Sequence, residues 1–212
     1  MNKNDIKKVL ELLYNTYPDA QCELNYSTAF QLLVSTILSA QATDKKVNEV
    51  SERLFKKYST ANDFAKLTQE ELEVEIKEIG IYKNKSKNIL SMSKTLINEY
   101  NGEVPSDRDK LMKLSGVGRK TANVVISNVF NIPAIAVDTH VFRVTNRIGL
   151  ANSSTVEKTE IELMDEIPEE QWIMAHHALI FHGRRTCIAR NPKCEICTVK
   201  DYCNFYNEKS RV

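Results

Sequence analysis

Apolar residues recur at intervals of three and four along almost all of this 212-residue chain, and strand-like alternation is nearly absent. Near the start, Ile6, Val9 and Leu13 mark one buried face of a helix, which Pro18 should end. Residues 29–39, AFQLLVSTILS, are apolar on almost every side and predict a helix buried in the centre of a fold. The pattern therefore predicts an all-α protein.

The same periodicity predicts further helices along the rest of the chain. A helix capped by Thr43 or Asp44 should run to about residue 58. The Val-rich stretch 123–129 resembles a strand in isolation, but the surrounding period favours a helix. The other predicted helices cover residues 61–65, 69–78, 83–100, 107–113, 119–130, 138–148, 154–166 and 169–182.

Composition narrows the class of protein without naming a partner. Hydrophobic residues make up 42% of the chain and charged residues 27%, which is typical of a globular protein. Lys and Arg total 29 against 28 Asp and Glu, so any surface for nucleic acid must come from local charge. The start, MNKNDIKKVLELLY, is too charged for a secretory leader, and no stretch approaches the roughly 18 apolar residues of a membrane span. We therefore expect an intracellular protein that does not enter membranes.

The segment LMKLSGVGRKTA, residues 111–122, places two glycines between two predicted helices. Gly116 and Gly118 permit a tight turn and leave backbone amides uncovered. The second helix would begin directly afterwards, and its positive N-terminal end can bind a phosphate. The same glycine spacing also suits an ordinary helix–turn–helix corner, so both interpretations stay open.

This segment resembles the helix-hairpin-helix element of the endonuclease III family of DNA glycosylases. The match continues through VGRKTANVV but departs at Ser115, where the family usually has proline, so the turn should lose some rigidity. The resemblance implies DNA-phosphate contacts at Gly116, Gly118 and Arg119. It also implies a monovalent cation at the hairpin, held by carbonyls of Met112, Leu114 and Val117.

Lys120 and Asp138 are the predicted catalytic residues. Lys120 would lie in the first turn of the second hairpin helix, where the helix dipole disfavours a cation and so favours the nucleophilic neutral amine. A surface lysine that contacts phosphate is the alternative. The segment IAVDTHVFRV resembles the aspartate-bearing segment of the same superfamily, although Asp138 also suits a plain helix cap. In that family the lysine and the aspartate face one pocket, and Arg143 on the same segment is a predicted DNA contact.

The resemblance implies a bifunctional DNA glycosylase/AP lyase that removes oxidised pyrimidines in base excision repair. The damaged nucleotide would be flipped out of the duplex, attacked at C1′ by Lys120, and cleaved through a Schiff base and β-elimination. Gln41, in the loop after the buried helix, matches the position at which the family inserts a polar side chain into the gap. A polar loop residue before a helix cap is the alternative for Gln41.

Four of the five cysteines crowd the C-terminal part of the chain, as Cys187-x6-Cys194-x2-Cys197-x5-Cys203. Four thiolates suit tetrahedral zinc or a [4Fe–4S] cluster. A zinc ribbon usually has two CxxC pairs and this segment has one, so the spacing favours iron–sulfur. The spacing is also similar to that of the endonuclease III cluster, which implies a [4Fe–4S] cofactor on these cysteines.

Basic residues accompany the cysteines and are predicted to contact DNA phosphates. They are Arg184, Arg190 and Lys193, although a solvated basic face is the alternative. Other protein classes explain less of the sequence. A hairpin module without enzyme activity does not account for Asp138, and a ferredoxin-like carrier does not account for the hairpin. An adenine glycosylase lacks the lysine, and an alkyl-base glycosylase usually lacks the cluster.

The predicted organisation has two helical lobes, which follow from the resemblance. Residues 22–132 would form the lobe with the hairpin, and residues 1–21 plus 133–212 the lobe with the cluster. We expect a monomer that acts on double-stranded DNA containing a damaged base or an abasic site. Its expected location is the cytoplasm, in association with the nucleoid.

Overall fold

The computed structural model describes residues 1–209, and these residues contain helices and no strand. The prediction of an all-α protein is therefore confirmed. No helix among these residues is long and apolar enough to cross a membrane. The α-helices are α1 (Lys3–Thr16), α2 (Ala29–Ser39), α3 (Asp44–Lys57), α4 (Ala61–Ala65), α5 (Gln69–Ile76), α6 (Tyr82–Tyr100), α7 (Arg108–Met112), α8 (Arg119–Val129), α9 (Thr139–Ile148), α10 (Val156–Glu166), α11 (Trp172–Arg185) and α12 (Asn204–Lys209).

Most helices begin at a side-chain cap that the sequence supplies. Threonine hydroxyls accept the amide of the third helical residue at the starts of α2, α3, α4, α5 and α10. At α4 and α5 the third residue, Asp63 or Glu71, also accepts from the threonine backbone and completes a capping box. Such caps satisfy amides that a helix cannot satisfy itself.

The helix predicted at 169–182 is divided in the structure. A short 3-10 helix, Glu169–Gln171, precedes α11, and α11 continues to Arg185. Two further 3-10 helices, Cys194–Ile196 and Lys200–Tyr202, and helix α12 lie in a region where no element was predicted. These short segments have no room for a repeating apolar face.

Residues Glu23–Phe130 form one compact unit, which we call the hairpin unit. Helix α2 is its centre, since every residue from Phe30 to Leu38 is buried. Helices α3, α6 and α8 pack against α2, and α4 and α5 pack against α6. The hairpin therefore continues directly into a helix of the core, α8.

Residues Met1–Cys22 and residues 131–209 form the second unit, which we call the cysteine unit. Its core joins one face of α1 with α9 and α11, and it includes Cys187, Val199 and Cys203. Helices α9 and α11 approach closely at Gly183, where a Cβ would lie 2.9 Å from the Cβ of His140. The chain thus divides after residues 22 and 130, whereas the sequence suggested divisions after 21 and 132.

Candidate functional site

The hairpin turn, residues 113–118, joins α7 to α8. Gly116 has a φ of +80°, a conformation that favours glycine, while Leu114 and Val117 are buried beneath the turn. Gly118 is the N-cap of α8 and provides no side-chain hydrogen bond to the helix. The first turn of α8 therefore has no side-chain cap, an arrangement suited to an anionic ligand such as a phosphate.

Ser115, the departure from the family pattern, has a partner on α6. Its hydroxyl lies 3.1 Å from Oδ1 of Asn88 and donates a hydrogen bond to it. Gly116 lies against the same residue, because a Cβ built on it would be 2.9 Å from the Cβ of Asn88. The turn is thus held against α6 by a hydrogen bond and close packing rather than by a proline ring.

Lys120 is the second residue of α8, and its side chain is exposed. Among the residues that the structure describes, its Nζ has no hydrogen-bond or ion-pair partner. An exposed amine in this setting can approach an electrophile.

Asp138 has the capping role that the sequence left open beside a catalytic one. It is the N-cap of α9, and its Oδ1 accepts from the amides of His140 and Val141, both at 2.8 Å. Within residues 1–209, no partner of Oδ2 is found. One oxygen therefore fixes the carboxylate, which is half-buried, and the other remains available for chemistry.

Gln41 lies on an exposed loop with a strained backbone. Its φ is +56°, a left-handed conformation that residues with a side chain rarely adopt. The neighbouring loop carries a second such residue, Ile81, with a φ of +58° and 48% of its surface exposed. The two loops are adjacent, since the carbonyl oxygen of Gln41 lies 3.9 Å from the Cβ position of Gly80.

Sequence reasoning missed Ile81, because one apolar residue between two helices carries no periodic signal. Left-handed backbone at a β-branched residue is a genuine outlier, and such outliers concentrate at functional sites. Only the fold reveals this conformation. Together with Gln41, it identifies a candidate pair of side chains for contact with a ligand.

All four clustered cysteines line one small cavity of the cysteine unit, together with His182, Thr186 and Lys193. Across residues 1–209, no three His, Cys, Asp or Glu side chains are arranged to hold a single metal ion. Four thiols around one space are a ligand set that suits a metal centre, either tetrahedral zinc or a [4Fe–4S] cluster. Burial raises the pKa of Cys197 to about 11 and also raises that of Cys203, so without a metal both side chains are neutral thiols at neutral pH.

Arg147 links α9 to the first part of the cysteine loop, residues 187–203. Its NH1 lies 3.5 Å from the Sγ of Cys187 and donates to the carbonyl of Ile188, while NH2 donates to that of Ala189. The guanidinium also stacks 4.7 Å from the ring centre of Phe205. Sequence reasoning did not select Arg147, although it lies one helical turn from Arg143.

Arg143 is largely engaged inside its own unit. Its guanidinium donates to the carbonyls of Gly183 and Cys187 and so joins α9 to the end of α11. Its predicted contact with DNA stays a prediction. The side chains of Arg184, Arg190 and Lys193 are exposed and present positive charge on the surface of the cysteine unit.

Two family models match the chain. The model described as "HhH-GPD superfamily base excision DNA repair protein" covers residues 34–169. This match defines the class of protein and spans both the hairpin and Asp138. The model described as "Iron-sulfur binding domain of endonuclease III" covers residues 187–203.

Individual relatives show to which family within this superfamily the chain belongs. Endonuclease III of Bacillus subtilis (strain 168) is 48% identical over 204 residues, covering 96% of this chain and 93% of the relative. Endonuclease III of Escherichia coli (strain K12) is 45% identical and covers 99% of both chains. The structure also resembles a trapped covalent intermediate of an endonuclease III with DNA, with a TM-score of 0.95, 48% identity and full coverage of both chains. The chain therefore belongs to the endonuclease III family, which confirms the resemblance found in the sequence.

Family membership also settles the cofactor. The chain carries a [4Fe–4S] cluster, as the cysteine spacing predicted. When bound, such a cluster joins distant parts of a loop through iron–thiolate bonds. The cavity lined by the four cysteines is the only described place where four thiols meet.

Proposed function

We propose that this chain removes oxidised pyrimidines from duplex DNA, with Lys120 as nucleophile and Asp138 as its catalytic partner. That it is a bifunctional DNA glycosylase/AP lyase of base excision repair follows from its family. The relative trapped in a covalent intermediate with DNA supports a covalent route here as well. The observation that carries the assignment is the exposed Nζ of Lys120, which lacks a described partner at the start of α8.

In the proposed reaction, the lone pair of the Lys120 Nζ attacks C1′ of the flipped nucleotide. The C1′–N bond breaks, and the base leaves with its electron pair and takes up a proton. Loss of a proton from Nζ and opening of the sugar ring give a Schiff base. Removal of the 2′ hydrogen then expels the 3′ phosphate and cleaves the strand.

Asp138 is proposed to act through the oxygen that does not cap α9. A carboxylate can stabilise the positive charge that develops on the sugar and can carry the proton released by Nζ. The two amides on Oδ1, each at 2.8 Å, fix its orientation before substrate arrives. Fixed orientation matters because a catalytic group gains most when it needs no rearrangement.

Gln41 and Ile81 are proposed to stabilise the opened duplex. Flipping leaves a gap in the base stack, which a polar side chain fills by hydrogen bonding and an apolar side chain fills by wedging. The exposure and the left-handed backbone of both residues support this role.

Phosphate contacts are proposed for the hairpin amides near Gly116 and Gly118, for Arg119, and for Arg184, Arg190 and Lys193. Such contacts position the protein without reading sequence. The four clustered cysteines are the proposed ligands of the iron–sulfur cluster, and the hairpin carbonyls a proposed site for a monovalent cation. We also propose that the enzyme works in the cytoplasm at the nucleoid, where its DNA substrate lies.

Borohydride trapping tests the nucleophile. Wild type incubated with a duplex that contains one oxidised pyrimidine should give a covalent protein–DNA complex, and Lys120→Ala should give none. Lys94→Ala, which removes another exposed lysine of the hairpin unit, is the matched control and should trap normally. Trapping that persists in Lys120→Ala would exclude this lysine as the nucleophile, and a panel of lesions identifies the preferred base.

A further inference from the structure

Lys85 is a buried lysine, with only 4% of its surface exposed. Lysine is rarely buried without a partner, because removing an ammonium from water is costly. Here the partners are backbone carbonyls: Nζ donates to Leu38 at 2.9 Å and to Ala40 at 2.6 Å. Nζ therefore lies at the negative end of α2, where the helix dipole favours a cation, while burial lowers the pKa of this lysine.

These carbonyls belong to the residues that lead directly into Gln41. Ala40 follows the last residue of α2 and precedes Gln41. The backbone amide of Lys85 donates to the carbonyl of Ile81 at 3.2 Å, in the opening turn of α6. That amide bond is an ordinary bond of the first turn of α6 and would form with any residue at position 85, so the lysine side chain adds only the two bonds to Leu38 and Ala40, beside the Ile81 loop.

The same helix also holds the hairpin turn. Asn88 lies one turn beyond Lys85, on the same side of α6. It accepts from Ser115 and packs against Gly116. Helix α6 therefore contacts all three irregular segments of the hairpin unit for which a DNA contact is proposed.

We propose that Lys85 is a positioning residue that fixes the Gln41 loop against the Ile81 loop, so that both side chains meet the opened base stack together. The inference rests on the proposed role of Gln41. A left-handed backbone persists only where its surroundings hold it. Bonds that hold the loop before DNA arrives remove the cost of ordering it during binding.

The test uses full-length protein, with its cluster, and two duplexes: one undamaged and one with a stable abasic-site analogue. The measured quantity is the ratio of the two dissociation constants, which reports lesion preference. Lys85→Met fills similar volume but donates no hydrogen bond, and should lower the preference about tenfold. Lys85→Gln, which is too short to reach both carbonyls, should do the same and replaces the methionine variant if that variant does not fold.

Two readouts separate positioning from a general loss of stability. Combining Lys85→Met with Gln41→Ala should lower the preference no further than Gln41→Ala alone, because the lysine acts through the glutamine. A 2-aminopurine opposite the lesion should show less unstacking with Lys85→Met than with wild type. The control is Ser93→Ala, which removes a buried hydrogen bond within α6 but touches neither loop; it should lower stability and leave the preference unchanged.

Each failure has its own meaning. If Gln41→Ala lowers the preference and the folded Lys85 variants do not, the positioning role is wrong. Additive losses in the double variant would also overturn it. If Gln41→Ala itself has no effect on the preference, the proposed role of Gln41 is wrong, and the role of Lys85 falls with it.

Discussion

The hairpin turn and the cysteine loop are both short irregular segments, yet they are held in place differently. The hairpin turn lies between two helices, buries Leu114 and Val117, and rests on Asn88 of α6. The cysteine loop contains only 3-10 helices, and its carbonyls are held by guanidinium groups of α9. The first segment is shaped by apolar packing, whereas the second also needs a cofactor that the polypeptide does not supply.

Removing a cysteine of the cluster should have the largest effect, and that effect should be confined mainly to the cysteine unit. Cys197→Ala should abolish the brown visible absorbance, lower iron content, and destabilise the cysteine unit by about 5 kcal/mol or more, because cluster binding is part of its folding. Hydrogen exchange should show much smaller changes in the hairpin unit. Cys22→Ala, which removes the cysteine outside the cavity, should keep full iron and absorbance; a fully loaded Cys197→Ala protein would contradict the ligand assignment.

Asp138 allows capping and catalysis to be separated. Asn caps helices about as well as Asp, so Asp138→Asn should change stability by less than about 0.5 kcal/mol while single-turnover base release falls about 100-fold. Asp138→Ala should show the same loss of rate and lose about 1 kcal/mol of stability through the missing cap. Full activity of the Asn variant would leave Asp138 as a cap alone.

Acid should affect the two units differently, because all four histidines lie in the cysteine unit. Burial lowers the pKa of His177 from 6.5 to about 4. Below pH 6.5 His177 binds a proton in the unfolded chain but stays neutral in the folded chain, so the free energy of unfolding falls as the pH drops towards 4. From pH 7 to pH 5 the loss from this residue should be about 2 kcal/mol.

Urea unfolding monitored by Trp172, the one tryptophan of the chain, reports on the cysteine unit. His177→Gln should show a smaller change between pH 7 and pH 5 than wild type. An equal change in both proteins would mean that His177 does not carry the acid sensitivity.

Substituting the two glycines of the hairpin turn by alanine should give the smallest changes in the free energy of unfolding. Gly116→Ala would strain a φ of +80° and press against Asn88, so it should cost about 1 to 2 kcal/mol and weaken binding to damaged and undamaged duplex alike. Gly118 has a negative φ and open space around its Cβ position, so Gly118→Ala should leave the unfolding free energy nearly unchanged. Equal stability of the two variants would show that packing against α6 does not hold the turn.

The sequence predicted the helices well where apolar spacing and caps agree. Helix α2 has the predicted bounds, and α3 begins after Thr43, one of the two caps considered. These features depend on residues close together in the chain. The short helices after Cys187 have too few residues for a periodic apolar pattern. Their backbone is held by contacts with distant residues, such as the guanidinium groups of α9.

The candidate site was predictable only in part, for the same reason. Motif and spacing select Lys120, Asp138 and the four clustered cysteines as candidates, because the patterns that point to them are local in the sequence; their roles stay predictions. The left-handed backbone of Ile81 and the bonds of Lys85 and Arg147 join residues that are distant in the chain. Arg143 is predicted from the motif to contact DNA, but in the structure its guanidinium donates hydrogen bonds to backbone carbonyls of Gly183 and Cys187.

Ser115 has a consequence for how the enzyme responds to its surroundings. A proline ring restrains a torsion covalently at every temperature, whereas a hydroxyl–amide bond competes with water and weakens on warming. The affinity of the hairpin turn for DNA phosphates should therefore fall at a lower temperature in this chain than in a relative that has proline at this position.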